Sequence, residues 1–162
     1  MNYIFDACAL INLANGGVLP LVLAIPANFY FIGPMVREES GALEADIQEA
    51  IRAGMLQILD ASTVSAKLYL DLLAKHGLGE GETECLTVAM TDDFVVISDD
   101  RRAREVIREA LGDGKLTGSI GLLRKAIAHS LLDRPAAYKA YQLMRATGAF
   151  LPSWTIDQAF PL

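Results

Sequence analysis

The sequence predicts an α/β fold in which helices cover both faces of a mostly parallel sheet. Three features predict it. Short apolar runs alternate with segments of helical periodicity along the chain, the runs are continuously apolar as strands buried on both faces are, and glycine or proline stops most of the helices.

Taken in order, YIF (residues 3–5) reads as a buried strand ending in Asp6, and ACALINLAN follows as a helix stopped by Gly16 and Gly17. A second apolar helix at 19–24 is ended by Pro26. FYFI (29–32) has the aromatic and branched residues of a strand. Pro34 opens a helix carrying Val36, Glu38 and Glu39, which is predicted to break near Ser40 and Gly41 and to resume over 43–53. Gly54 stops it before a third strand at 56–59. Ser62 or Thr63 is the expected N-cap of VSAKLYLDLLAKH, which places Leu68, Leu72 and Leu73 on one face and ends at Gly77. GLGEGE then reads as a loop running into the helix TECLTVAM. FVVI (94–97) is the clearest strand, and the basic helix RRAREVIREAL follows it. Helical segments at 120–128, 135–147 and near Trp154 finish the chain.

A length of 162 residues with 52% apolar content suits one domain over residues 1–162. No apolar stretch approaches the roughly 18–20 residues of a membrane span, and MNYIFDACAL has no basic region ahead of an apolar one, so a soluble, cytoplasmic protein is expected. Cys8 and Cys85 are too few for a disulfide framework and have no partner at zinc-ligand spacing; His76 and His129 stand far apart. A net charge of −6 argues against a surface that is one broad nucleic-acid footprint, while leaving room for a local basic patch.

In a parallel sheet, ligands bind beyond the carboxyl ends of the strands. Asp6 ends the first strand, and Asp99 and Asp100 end the fourth; Asp92 and Asp93 precede that strand and belong to the opposite edge. Glu38 and Glu39 lie in the first turns of the helix after FYFI, and Glu80, Glu82 and Glu84 cluster at the start of the helix that leads into FVVIS. Four regions thus deliver carboxylates to one edge, an all-oxygen set that a hard cation such as Mg2+ or Mn2+ prefers. Packed carboxylates repel one another unless a cation compensates them. Such a cation lowers the pKa of a bound water and stabilises charge on a phosphoryl oxygen. For each acid alone, the competing assignment is a turn former or a helix-start residue favoured by the dipole.

With these residues in hand, the sequence resembles the PIN-domain nucleases, which include VapC-type toxins of toxin-antitoxin pairs. The resemblance rests on YIFDACALINL, IGPMVREES, GLGEGETECLTVAM, VVISDDRRARE and LTGSIGLLRKA, taken in order over most of the chain, with the Gly-Glu-Gly-Glu loop pointing to a subgroup. It implies a three-layer α/β/α fold with four or five sheet strands, and Mg2+- or Mn2+-dependent phosphodiester hydrolysis, usually of RNA. It also implies that Asp6, Glu39, Glu82 and Asp100 are catalytic, and that the same four with Asp99 bind metal. Glu38 and Glu80 fall outside this set. Homodimerisation and an antitoxin partner are implied on the same ground. One departure is local: the family commonly has Ser or Thr just after the first Asp, where Ala7 and Cys8 stand here. An all-carboxylate site offers no base to activate a thiol, so Cys8 is expected to be a small apolar residue and not a nucleophile.

Arg101, Arg102, Arg104 and Arg108 follow the last acid pair, with Lys115, Arg124 and Lys125 next in the chain. Arg101 and Arg102 are the expected phosphate contacts; the competing assignment is ion pairing with Glu105 and Glu109 on a solvated helix face. Tyr138, Tyr141, Phe150 and Trp154 form either helix packing or a partner surface. Two rival functions stand beside the nuclease. One is a catalytically idle module that binds RNA or protein; the other, a phosphatase with Asp6 as nucleophile, needs a second Asp two residues on, where Cys8 stands.

Overall fold

The computed structural model describes residues 1–40 and 45–162. Five parallel strands form one sheet in the order β3-β2-β1-β4-β5: β1 (Asn2–Phe5), β2 (Phe29–Ile32), β3 (Leu56–Ile58), β4 (Phe94–Ile97) and β5 (Leu116–Thr117). Around it lie α1 (Ala7–Asn15), α2 (Leu19–Leu23), α3 (Pro34–Ser40), α4 (Ala45–Arg52), α5 (Ala66–His76), α6 (Glu80–Thr91), α7 (Arg101–Leu111), α8 (Ser119–Ala128), α9 (Arg134–Ala146) and α10 (Ile156–Ala159). Helices α1, α2, α4, α8 and α9 pack among themselves, as do α5, α6 and α7, which gives the three layers α/β/α.

The continuous apolar runs account for the centre of the sheet. Every residue of FVVI is buried, and so are Tyr3, Ile4 and Phe5 of β1. Each such side chain withdrawn from water contributes about 1.5–3 kcal/mol before chain entropy is set against it. Tyr3 stacks on Tyr30 of the adjacent strand with ring centroids 5.4 Å apart, and Phe31 of β2 meets Phe94 of β4 edge-on at 5.3 Å across the intervening β1, so the strands are also matched side chain to side chain.

Strand β1 pairs with both β2 and β4. The chain leaves β1 toward β2 and β3, then returns through α5 and α6 to lay β4 on the other side of β1. The strand order therefore reverses at the β1/β4 boundary, where a crevice opens in such sheets. The register carries the ladder to its rim: Phe5 pairs with Ile97, the Asp6 N–H donates to the Ile97 carbonyl at 2.9 Å, and the Ser98 N–H donates to the Thr117 carbonyl at 3.1 Å. Asp6 and Ser98 thus face each other at the sheet's carboxyl end.

Three boundaries differ from the sequence expectation. Helix α5 is capped by Ser65, whose Oγ accepts the Leu68 N–H, because residues 61–63 form a separate 3-10 turn capped by Asp60. Helix α6 begins at Glu80, inside the stretch read as a loop; Gly79 is its N-cap, and the Glu82 carboxylate folds back onto the Gly79 N–H. The fifth strand is the two-residue Leu116–Thr117, too short for any periodicity to reveal. The predicted break at Gly41 and restart at residue 43 lie outside the described residues.

Candidate active site

Asp6 is the most enclosed of the predicted acids, 3% exposed. It sits at the N-cap of α1, yet its side chain closes no cap bond on that helix. It turns across the strand rim instead, accepting from Ser98 Oγ at 2.7 Å and Cys8 Sγ at 3.0 Å. Burial raises its affinity for a proton, and these two hydrogen bonds oppose the rise. The hydroxyl that the sequence lacks beside Asp6 is thus supplied by Ser98 of the neighbouring strand. Cys8 contributes its thiol hydrogen. Burial and the Asp6 charge push that thiol's pKa far up, which keeps it protonated and unfit as a nucleophile.

Glu39 and Glu82 approach Asp6 from two other elements. Glu39, near the end of α3, accepts the Gly81 N–H at 3.2 Å, and a Cβ at residue 81 would stand 2.8 Å from its Oε2. Only glycine lets α3 and α6 come this close. Glu82 accepts the Gly79 N–H at 2.9 Å. The pKa of Glu39 is raised first by partial burial, then by Asp6 and Glu80; that of Glu82 is raised first by burial, then by Asp6, Asp100 and Glu39. Glu82 therefore lies within electrostatic reach of Asp6, Asp100 and Glu39, and Glu39 within reach of Asp6. Among the described residues, no Lys or Arg nitrogen comes within 4.0 Å of any of them. Nor do any three His, Cys, Asp or Glu side chains among the described residues gather closely enough to enclose a metal ion.

The last acid pair divides its work. Asp100 caps α7, accepting the Ala103 N–H at 2.8 Å. Asp99 faces the other way, accepting Asn12 Nδ2 at 2.8 Å, the Ser119 N–H at 2.8 Å and Ser119 Oγ at 2.5 Å, which joins α1 and α8 to the end of β4. Both acids line a cleft of about 390 Å3 together with Cys8, Asn12, Arg101 and Phe150. Glu38 and Glu80 are exposed.

Glu84 is the acid whose place the sequence does not reveal. It is buried and accepts the N–H groups of Met35 (3.2 Å) and Val36 (3.3 Å) at the start of α3, over Gly33, where a Cβ would lie 2.0 Å from its carboxylate. Two residues along a helix point to nearly opposite sides, so Glu82 and Glu84 cannot serve one cluster. That spacing was the available signal. Asn12, Ser98 and Ser119 were likewise passed over; of these only Ser98, set between a buried strand and an Asp pair, had a sequence cue.

Arg101 is exposed and pairs with Glu105 at 3.2 Å. Arg102 donates to the His76 carbonyl at 2.7 Å, tying the start of α7 to the end of α5. Arg104 donates to the carbonyls of Ser98 (2.7 Å) and Thr117 (2.9 Å), clasping the ends of β4 and β5.

A family model described as a PIN domain matches residues 2–162. No curated protein and no solved structure gives a match.

Proposed function

The chain belongs to the PIN-domain family, in general metal-dependent nucleases acting on nucleic acid, and on that premise we propose that it is an endoribonuclease using Mg2+ or Mn2+. The observation that carries this reading is the convergence of Asp6, Glu39 and Asp100, from three other segments, on the repulsion felt at Glu82, with no Lys or Arg nitrogen among the described residues within 4.0 Å of any of the four. Such a set has the chemistry of a hard-cation site.

In this reading Asp6, Glu39, Glu82 and Asp100 are the carboxylates that would hold the ion. The ion supplies an activated water and charge stabilisation for the scissile phosphodiester. Ser98 and Cys8 fix the orientation of the Asp6 carboxylate through the hydrogen bonds at its Oδ2. Asp99, oriented by Asn12 and Ser119, would stand beside these four as the fifth carboxylate of the set. The raised proton affinity of Glu39 and Glu82 equips either to accept a proton from the attacking water at its carboxylate oxygen. Arg101, open to the cleft, contacts a substrate phosphate; Arg102, engaged by His76, holds the helix that presents it.

The setting we propose is a single-domain cytoplasmic enzyme, homodimeric, of the VapC-like toxin kind, held in check by an antitoxin; a small open reading frame beside its gene and co-purification of that product test this part. The chemistry is tested by thermal melting in EDTA, Mg2+ and Mn2+, with cleavage of single-stranded RNA under the same conditions. Wild type should melt higher with metal and cut, because a ligand bound only by the native state stabilises it, and Asp6→Asn should do neither. Absence of both responses in wild type would leave an idle RNA- or protein-binding module as the better account.

A further inference from the structure

Beside the acidic rim lies a surface of opposite character. A groove of about 510 Å3 between α7, α8 and the segment after α9 is lined by Arg101, Arg104, Arg108 and Arg124, with Asp99 and Glu105 the acids among the described residues that line it. In a chain of net charge −6, this is a local reversal of sign. Phe150 stands on the ridge between this groove and the cleft over Cys8, Asp99 and Asp100, and lines both. It is 99% exposed.

A phenyl ring so exposed on a loose tail would mean little, but the backbone that carries this one is held on both sides. The Ala149 N–H donates to the Met144 carbonyl at 3.1 Å. Beyond it, the Tyr141 hydroxyl donates to the Pro152 carbonyl and accepts the Trp154 N–H at 2.9 Å, while the Tyr138 hydroxyl donates to the Trp154 carbonyl at 3.2 Å. Arg124 lies over the Trp154 ring at 6.0 Å and donates to the carbonyls of Gln158 and Ala159, fixing the groove's far wall. Arg101 and Arg108 are paired, among the described residues, with the exposed carboxylates of Glu105 and Asp113, partners that a phosphate readily replaces.

We propose that Phe150 is a stacking platform for one base of a single-stranded RNA, whose phosphates run along Arg101 and Arg108 and whose adjoining phosphodiester lies over the cleft at Asp100. Pinned aromatics beside a cationic track are how single strands are gripped without reading their sequence. A duplex buries its base faces and cannot use the ring. The inference rests on the nuclease reading for the identity of the strand as substrate, but the binding it predicts needs no cleavage.

The test is fluorescence anisotropy of a labelled, mixed-sequence RNA of about 12 nucleotides, a length within the span of single-strand sites, titrated with the full chain in EDTA so that nothing is cut. Phe150→Ala should bind about 10-fold or more weakly, the loss of one base stack, with an unchanged melting temperature. Phe150→Trp should restore affinity, and its added emission should be quenched by RNA beyond the change Trp154 gives in wild type. Arg101→Ala should instead flatten the salt dependence by about 0.7 in the logarithmic slope, one single-strand phosphate. Equal affinity of wild type and Phe150→Ala overturns the proposal. So does a wild type that sediments as a dimer and a Phe150→Ala that sediments as a monomer with RNA affinity intact, which would make the ring a contact between copies. RNA binding that depends on Phe150 in a protein that never cuts would sink the nuclease and spare this inference. Cleavage that ignores Phe150 would do the reverse.

Discussion

Strand β4 is flanked by the same dipeptide at both ends, Asp92-Asp93 before it and Asp99-Asp100 after it, and the two pairs live differently. Asp92 and Asp93 are exposed; Asp93 accepts directly from Lys115 in a surface ion pair, and Asp92 ends α6. Asp99 gathers three donors from α1 and α8, and Asp100 caps α7 within electrostatic reach of Glu82. Residue type and local sequence are shared, so the difference comes from the sheet. Parallel strands all end on one rim, where β1 and β4 diverge and loops from every layer converge; the opposite rim offers no such convergence.

The sharpest way to break this comparison is to delete one acid from each end. Asp99→Ala should lower stability by about 2–4 kcal/mol, since it strands the buried Asn12 amide and the Ser119 donors. Asp93→Ala should leave the urea midpoint unmoved. Similar midpoints for the two variants would mean that the ends of β4 are equivalent after all. Gly33→Ala comes next, at about 1–3 kcal/mol by the same denaturation, because its methyl would occupy the Glu84 carboxylate's place over the first turn of α3.

A third test sharpens the contrast by pH. Folding raises the proton affinity of Asp6 above its ordinary 3.8 and of Glu39, Glu82 and Glu84 above 4.5. Between those values and the native ones, the folded chain binds more protons than the unfolded chain. The resulting stability is complete below the ordinary values and is lost as pH rises through the native ones. In EDTA the urea midpoint should therefore be higher near about pH 5 than at neutrality. Asp6→Asn should flatten that slope, and a midpoint that climbs with pH over this range would contradict the repulsion. The smallest effect belongs to Cys8→Ser, which keeps a donor for Asp6 and should shift stability by only about 0.5 kcal/mol, with cleavage preserved.

What could be read from the sequence follows from the same geometry. FVVI and YIF are apolar because they are buried on both faces, so strands β4 and β1 and the acids that end them announce themselves in the residues. Leu116–Thr117 could not, having no length in which to show a period. Glu84 is hidden for a different reason: its spacing from Glu82 sets it on another side of α6, but its partners are N–H groups 48 and 49 residues away, so the chain does not reveal what it caps. Arg102 follows an acid pair and so reads as a phosphate contact; the His76 carbonyl it holds, like the Ser98 and Thr117 carbonyls held by Arg104, is brought to it only by folding and leaves no mark in the sequence.

The crossed contacts between α3 and α6 have a mechanical consequence. Glu84 of α6 holds the first turn of α3, while Glu39 of α3 holds the first turn of α6, so each helix closes the other's open end. Neither can swing without dragging its neighbour, and the two glutamates proposed to reach the ion are carried on one rigid bracket. The amide hydrogens of Met35, Val36 and Gly81 should accordingly exchange with solvent on a single clock, released together when the bracket opens and protected together while it stays shut.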